Sequence, residues 1–211
     1  MIKKVLVEGP FLTRSGYGEH ARLVLRALKG RKDIEIYASP LEWGRTNWIS
    51  DSDPERIWMD ELVKKTVLYG QEPHGAAYDV HIHVGIPNEY QKKAPYGVCV
   101  TAGIETTRVA DEWIKKTNEI DKIIVPSNFA KFGFENTEIK ETNRETGEQK
   151  TLTCQSELAV VPYPAKEISP SKEFKLDLPT KFNFLVVAQW STRKNIENTI
   201  RWFVEEFSND S

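Results

Sequence analysis

Short apolar segments that alternate with helix-like segments are the feature that most constrains the fold of this chain. Strand-like runs occupy residues 4–8, 33–38, 78–84, 97–100, 120–125 and 158–162. Helices are predicted over residues 18–28, 54–69 and 111–116, and after the capping residue Ser127. This alternation is typical of an α/β fold with a Rossmann-like parallel sheet flanked by helices. Because ligand sites in such sheets lie in the loops that follow the strands, we expect function there.

The last third of the chain predicts further elements. Residues 136–156 are polar and surround a turn at 143–147, which predicts an inserted β-hairpin, with a solvated charged loop as the alternative. Residues 182–188 (FNFLVVA) predict a buried strand, and a helix follows to about Phe207. One strand and one helix cannot bury a core. We therefore expect an N-terminal domain at 1–165, a linker at 166–180 and the incomplete start of a second domain at 181–211.

The composition argues against several classes of function. The 29 basic and 31 acidic residues give a net charge of -2, which argues against nucleic acid binding through bulk electrostatics. The two cysteines are too few for a disulfide scaffold and predict a reducing, cytoplasmic location. The N-terminus MIKKVLVEG predicts a first strand rather than a signal peptide. No apolar run approaches the roughly 18–20 residues of a transmembrane segment.

Two glycines, Gly16 and Gly18, precede or begin the first predicted helix. Free N–H groups and the helix dipole at such a position favour an anion by roughly 0.3–2 kcal/mol. The glycines are therefore candidate phosphate-binding residues, although their spacing is not that of GxGxxG. A tight turn that needs glycine for backbone reasons is an equally good interpretation.

An aromatic and polar loop, residues 40–54, follows the second predicted strand. Long loops in compact domains are more often functional than idle. The faces of Trp43 and Trp48 could stack on sugar rings, and Tyr17 in the glycine loop could also face a ligand. The alternative is that the two tryptophans cover the edge of the sheet and that Tyr17 packs on its own loop.

His81 and His83 are two residues apart in a predicted strand, so both side chains point to the same face of the sheet. Such a pair is typical of metal sites, but no third ligand lies near in the sequence, and we expect no metal. We expect His83, near the carboxyl end of the strand, to hydrogen-bond a substrate hydroxyl. His81 is predicted to be a structural histidine with satisfied hydrogen bonds.

Charged residues follow two other predicted strands. Glu105 lies in the loop TAGIETT, where it could hold an acceptor hydroxyl or be a solvated loop carboxylate. Arg193 and Lys194 lie near the start of the last helix, which Ser191 or Thr192 is predicted to cap. Because cations are unfavourable at a helix N-terminus unless an anion binds there, this pair indicates an anion site.

Six segments of the chain carry a resemblance to a known family: KVLVEGPFLTRSGYGEHAR, DVHIHVGIPNEY, TAGIETT, IIVPSNFAKFGF, VVPYP and FLVVAQWSTRKN. In this order and spacing they resemble GT-B glycosyltransferases, most closely those of the retaining family-4 type. The resemblance covers almost the whole chain. It implies an acceptor-side Rossmann-like domain and the first βα unit of a nucleotide-sugar-binding domain. The family's paired-glutamate motif is absent, and Gln189 stands where many relatives have arginine.

The resemblance also implies roles for individual residues. Gly16 and Gly18 match the glycine loop under the donor phosphates, and Lys194, beside Arg193, matches a lysine that contacts the donor diphosphate. His83 roughly matches a histidine near the reacting sugar. The implied donor is a UDP- or GDP-linked sugar, and the implied acceptor is a glycan or other small molecule. Neither a cofactor nor a metal is implied.

We therefore expect sugar transfer from a nucleotide sugar to a hydroxyl acceptor. A partner chain or a dimer could cover the incomplete second domain. The 211 residues alone are expected to show little or no transfer. The alternatives are a non-catalytic glycan-binding or split-partner module and a nucleotide-sugar epimerase of the same architecture. A dinucleotide-dependent dehydrogenase is less favoured, because the glycine fingerprint and the acidic ribose-binding residue of such enzymes do not follow each other in the required order.

Overall fold

The computed structural model describes residues 2–142, 147–165, 167, 169, 177–188 and 190–208. The chain forms two compact units, Met1–Ala165 and Lys166–Ser211. The first unit is an α/β domain built on a six-stranded parallel sheet with flanking helices, which confirms the predicted Rossmann-like class. No helix in the described part of the chain is long and apolar enough to cross a membrane.

Strands and helices alternate along the first unit as the apolar pattern predicts. Its strands are β1 (Lys3–Gly9), β2 (Ile34–Pro40), β3 (Val80–Val84), β4 (Tyr96–Val100), β5 (Lys122–Val125), β6 (Ile139–Thr142), β7 (Gln149–Leu152) and β8 (Glu157–Val160). Its helices are α1 (Gly16–Leu28), α2 (Pro54–Gly70), α3 (Asp111–Lys116) and α4 (Asn128–Glu135). The main sheet has the order β2-β1-β3-β4-β5-β8, and all neighbouring strands are parallel. The carboxyl ends of these strands therefore lie at one edge.

Alternation along the strands assigns the side chains to two faces of the sheet. Val5 and Val7 pack with Val98 and with residues of α1 and α2 in one core. Cys99 packs with Ile123 and with residues of α3 and α4 in a second core. Because Val98 and Cys99 are neighbours in β4, the two cores lie on opposite faces. Helices thus cover both faces, as is usual for a parallel sheet.

Serine side chains cap the N-termini of α1 and α4. The Ser15 hydroxyl accepts a hydrogen bond from the Gly18 N–H group at 2.9 Å, so α1 begins at Gly16, two residues earlier than predicted. Ser127 caps α4, as predicted, by accepting a hydrogen bond from the Ala130 N–H group at 3.1 Å. Both caps lie in loops that follow the carboxyl end of a strand.

The apolar side of α4 is narrower than the sequence predicts. Phe129, Phe132 and Phe134 are predicted on or near this side, but Phe129 and Phe132 are exposed. Phe134 is buried and stacks on Trp113 of α3, with the ring centroids 5.9 Å apart. In an eight-residue helix, one stripe with a spacing of three to four residues faces the core. This stripe consists of Ala130, Gly133 and Phe134.

The polar segment after α4 forms the predicted hairpin. β6 and β7 pair in antiparallel fashion, with Ile139 opposite Leu152. Both side chains pack against the second core, so the hairpin is attached to the domain through apolar contacts. Residues 143–146 of the predicted turn lie outside the described residues.

The second unit departs from the prediction at its first element. Residues 182–188 do not form a strand, and Leu185 and Val187 are 87% and 86% exposed. A strand needs a neighbouring strand to satisfy its backbone hydrogen bonds, and no strand is described in this unit. The predicted helix is present as α5 (Ile196–Phe207). Gln189 and residues 166, 168 and 170–176 of the predicted linker lie outside the described part of the chain.

We predict that Gly97→Ala destabilises the first unit. A Cβ atom at Gly97 would lie 1.8 Å from the hydroxyl oxygen of Tyr90, which is fully buried. The free energy of unfolding, measured by chemical denaturation, should fall by about 1–3 kcal/mol, the usual cost of overpacking. Gly70→Ala is the control, because no atom lies within 4 Å of the corresponding position, and this change should be neutral or slightly stabilising.

Removal of the Tyr90 hydroxyl group provides a second test of the predicted clash at Gly97. Tyr90→Phe removes the atom closest to the new Cβ, so the double variant should recover part of the stability that Gly97→Ala loses. Strictly additive effects of the two substitutions would show that the clash does not exist.

Candidate functional site

Loops at the carboxyl edge of the sheet meet around Tyr17 of α1. Its hydroxyl oxygen lies 2.9 Å from Thr101 Oγ1 and accepts a hydrogen bond from the Ala102 N–H group at 3.2 Å. Thr101 and Ala102 directly follow β4, whereas the helix of Tyr17 follows β1. The contact therefore joins the first turn of α1 to the loop after β4, two segments that are far apart in the sequence.

The two predicted phosphate-binding glycines have different surroundings in the first turn of α1. A Cβ atom at Gly18 would lie 2.2 Å from the Thr13 carbonyl oxygen, and the Gly18 N–H group already donates to Ser15. Arg22 holds the same loop by donating to the Thr13 carbonyl at 2.8 Å. Gly16 is exposed, and a Cβ atom there would have no neighbouring atom within 4 Å. Gly18 thus has a backbone role, and phosphate binding by the two glycines stays a prediction.

The two candidate acceptor tryptophans lie in different environments. The ring of Trp43 packs on Tyr17 with the centroids 4.5 Å apart. Trp48 forms a β-bridge with Thr13, and the guanidinium carbon of Arg56 lies 5.3 Å from its ring centroid. The structure therefore brings the rings of Tyr17 and Trp43 together. The backbone of Trp48 pairs with the loop before α1, but its ring faces Arg56 of α2 instead of Tyr17.

His20 and Tyr163 form a polar contact beside an apolar cavity. His20 Nδ1 lies 3.3 Å from the Tyr163 hydroxyl oxygen, and burial lowers the pKa of His20 to about 4. The cavity has a volume of about 430 Å³, and Val24, Leu28 and Val98 are among the residues that line it. A polar pair among the residues that line an apolar cavity is a combination found in many small-molecule sites.

The loop after β4 and the turn after β5 enclose a second cavity of about 290 Å³. Glu105 and Ser127 both line it, so two predicted features that follow different strands meet in one place. Gly103 allows this approach, because its φ is +77° and a Cβ atom there would lie 2.6 Å from the Cβ of Ala130. Ala102 lines the same cavity and hydrogen-bonds Tyr17. We call these residues the carboxyl rim: Tyr17, Trp43, Ala102, Glu105 and Ser127.

His83 lies beneath the surface rather than at the carboxyl rim. It is 1% exposed, and His81 is fully buried on the same face of the sheet. A contact between His83 and a substrate hydroxyl therefore stays a prediction that the burial does not favour. The sequence predicts satisfied hydrogen bonds for His81, and this prediction is wrong, because neither of its ring nitrogens has a partner among the described residues.

Glu8 is the residue of this cluster that sequence reasoning missed. The register of β1 on β3 places Glu8 beside His83, with Oε1 at 3.7 Å from His83 Nδ1, and Oε2 accepts a hydrogen bond from Lys93 Nζ. Burial raises the pKa of Glu8, but the His83 ring and the Lys93 ammonium outweigh burial and lower the pKa to about 2. The one feature of the sequence that could have identified Glu8 is its position as an acidic residue at the end of an apolar strand.

Arg193 and Lys194 lie in the second unit, in a short 3-10 turn formed by Thr192–Lys194. The α-helix begins after Asn195, whose φ of 52° is left-handed, and no side chain caps it. Capping of this helix by Ser191 or Thr192 is therefore a wrong prediction. Both basic side chains are exposed, and their role in binding an anion stays a prediction.

Comparison with known proteins does not assign the chain to a family. The chain matches no protein-family model, no curated protein and no solved structure. Functional inference therefore depends on the geometry of the carboxyl rim, on the buried cluster of Glu8, His81 and His83, and on the chemistry of these side chains.

We predict that stability decreases as the pH falls below neutral. Burial is the main cause that lowers the pKa of His81 from 6.5 to about 4, and burial lowers that of His20 to the same value. Between these two pKa values the unfolded chain binds protons that the folded chain does not, so the stability present above pH 6.5 is lost toward pH 4. Urea denaturation in metal-free buffer should show a loss of up to about 1.4 kcal/mol per pH unit for each ring.

The variant His81→Phe distinguishes the contribution of His81 to this pH dependence from that of His20. The phenyl ring can keep the contact with Tyr90, so the packing is preserved. At pH values well above 4.5, the ordinary pKa of the Glu8 carboxyl, this variant should lose about half of the pH dependence, since one of the two titrating rings is gone. His74→Phe, at an exposed histidine, serves as the control and should keep it. If His81→Phe had the same pH slope as the unmodified chain, a buried neutral His81 would be excluded.

Proposed function

We propose that this chain is a GT-B-type glycosyltransferase that transfers a sugar from a UDP- or GDP-linked donor to a hydroxyl group of a glycan or small-molecule acceptor. In this proposal the first unit is the acceptor-side domain. The second unit contributes Arg193 and Lys194, which contact the donor diphosphate. A cytoplasmic location belongs to the proposal because the composition is typical of a reducing compartment.

The observation that carries the proposal is the convergence of the carboxyl rim. Ligands of parallel α/β sheets bind beyond the carboxyl ends of the strands. At that edge Tyr17 and Trp43 provide a pair of packed aromatic rings, and Glu105 and Ser127 line a cavity of about 290 Å³. Aromatic faces next to hydroxyl, amide and carboxylate groups suit a sugar, which has apolar ring faces and many hydroxyl groups.

The chemistry of sugar transfer fits the types of residue in the two units. The departing diphosphate must be stabilised by cations and N–H donors, and no protein nucleophile is required. Arg193 and Lys194 are such cations, and the N-terminus of α1 at Gly16 offers N–H groups and a favourable dipole. Glu105 would accept a hydrogen bond from the hydroxyl group of the acceptor.

The two tryptophans of one loop allow a matched test of acceptor binding. We predict that Trp43→Ala weakens the binding of mono- and disaccharides at least tenfold, because it removes the ring that packs on Tyr17. Trp48→Ala is the same chemical change in the same loop, and it should alter the affinity less than about twofold. Isothermal titration calorimetry and saturation-transfer NMR with a panel of saccharides, UDP-sugars and GDP-sugars measure both effects.

The same panel distinguishes the alternatives. Equal losses in the two tryptophan variants would remove the aromatic pair from the site. If the chain is a transferase, we expect only weak binding of UDP- or GDP-sugars by these 211 residues, and loss of that binding in Lys194→Ala would support this function. Nucleotide-sugar binding that Lys194→Ala leaves unchanged, beside saccharide binding, would support a glycan-binding module. Conversion of a nucleotide sugar in the absence of an acceptor would instead support an epimerase.

A further inference from the structure

Two buried histidines on β3 have no hydrogen-bond partner among the described residues. His81 and His83 are 0% and 1% exposed, and no partner is found for either ring nitrogen of either residue. Each neutral imidazole has one donor and one acceptor nitrogen. Buried polar groups are normally hydrogen-bonded, so four nitrogens without a hydrogen bond in one place indicate a missing ligand.

A carboxylate lies beside these nitrogens. Strand alternation puts His81 and His83 on one face of β3, and the parallel register puts Glu8 of β1 next to His83 on that face. One ligand atom from each of the three residues lies within 4.8 Å of the others. All three side chains are buried, and they come from two adjacent strands of a rigid sheet.

We propose that Glu8, His81 and His83 form a binding site for a divalent first-row transition metal ion of the Zn²⁺ class. Two imidazoles and one carboxylate are a donor set that suits Zn²⁺, Co²⁺ and Fe²⁺, whereas Mg²⁺ and Ca²⁺ prefer oxygen ligands. Metal bonds of about 2.0–2.2 Å bring tetrahedral ligands to within about 3.4 Å of one another. The Glu8–His83 distance of 3.7 Å is close to this value, and small side-chain rotations bring in His81.

The packing around the cluster is consistent with a site of this kind. Tyr90 stacks on His81 with the ring centroids 5.3 Å apart and meets His83 edge-on at 6.0 Å, so the planes of both imidazoles are held. A Cβ atom at Gly85 would lie 2.7 Å from His83 Nε2, so any side chain at this position would clash with that nitrogen. Tyr90 thus orients both rings, and glycine at position 85 lets the His83 ring lie close to the backbone.

Lys93 competes with a metal ion for Glu8. Its ammonium group hydrogen-bonds Glu8 Oε2, while Oε1 is the oxygen that faces His83. The Lys93 side chain is 41% exposed, so it can move into solvent when a cation binds. This arrangement gives the site an exposed route of entry and predicts that removal of the lysine charge strengthens metal binding.

The proposed metal site does not depend on the proposed glycosyltransferase function. None of Glu8, His81 and His83 belongs to the carboxyl rim, and the saccharide titrations do not test them. Loss of saccharide binding would leave the metal site standing, and absence of metal binding would leave the saccharide site standing.

The test is metal binding by the full 211-residue chain. After treatment with EDTA, we expect one Zn²⁺ per chain in equilibrium dialysis with elemental analysis, and one Co²⁺ with visible d–d absorption bands. His81→Gln, His83→Gln and Glu8→Gln should each lower the affinity at least tenfold. His74→Gln alters an exposed histidine outside the cluster and should leave the affinity unchanged.

Two further measurements test the proposal even if a histidine variant fails to fold. In the unmodified chain, Zn²⁺ should shift the ring nitrogen resonances of His81 and His83 in ¹H–¹⁵N spectra and leave those of His20 and His74 in place. Lys93→Gln should bind Zn²⁺ several-fold more tightly. Failure of the unmodified chain to bind Zn²⁺ and Co²⁺ stoichiometrically, or shifts confined to His20 and His74, would overturn the proposal.

Discussion

The parallel pairing of β1 with β3 is the constraint on which both proposed sites of this chain depend. Val5 pairs with Val80, so the pairing closes a loop that contains α1, β2 and α2. Closure of such a loop costs chain entropy, and burial of apolar side chains offsets it. Val5, Val7 and Val84 are each at least 95% buried in the first core. Without this pairing neither the carboxyl rim nor the buried cluster would form.

One register of β1 has two different consequences. Along the strand direction it brings the loop after β1 to the same edge as the loop after β4, where Tyr17 hydrogen-bonds Ala102. Across the sheet it determines the face of each side chain. Val7 enters the apolar core, whereas Glu8 lies beside His83 on the opposite face. The buried polar cluster and the carboxyl rim therefore both depend on the same backbone hydrogen-bond ladder.

Local patterns in the sequence predict much of the fold but only part of the site. The cap at Ser127 and the helices are readable, because caps and periodicity act over three or four residues. The pairing of Glu8 with His83 is not readable, since strand order depends on contacts between distant segments. The run at 182–188 has strand composition but forms no strand, because hydrogen-bond partners are a tertiary property. For the same reason, Trp43 and Trp48 look equivalent in the sequence and separate only in the structure.

The most direct test of this arrangement is the register of β1 on β3 in solution. Backbone NOEs and couplings across hydrogen bonds in the isotope-labelled chain measure it residue by residue. We predict contacts that pair Val5 with Val80 and Glu8 with His83 in a parallel ladder. A ladder shifted by one residue would move the Glu8 side chain to the opposite face and Val7 out of its core. That result would contradict both the buried cluster and the position of the carboxyl rim.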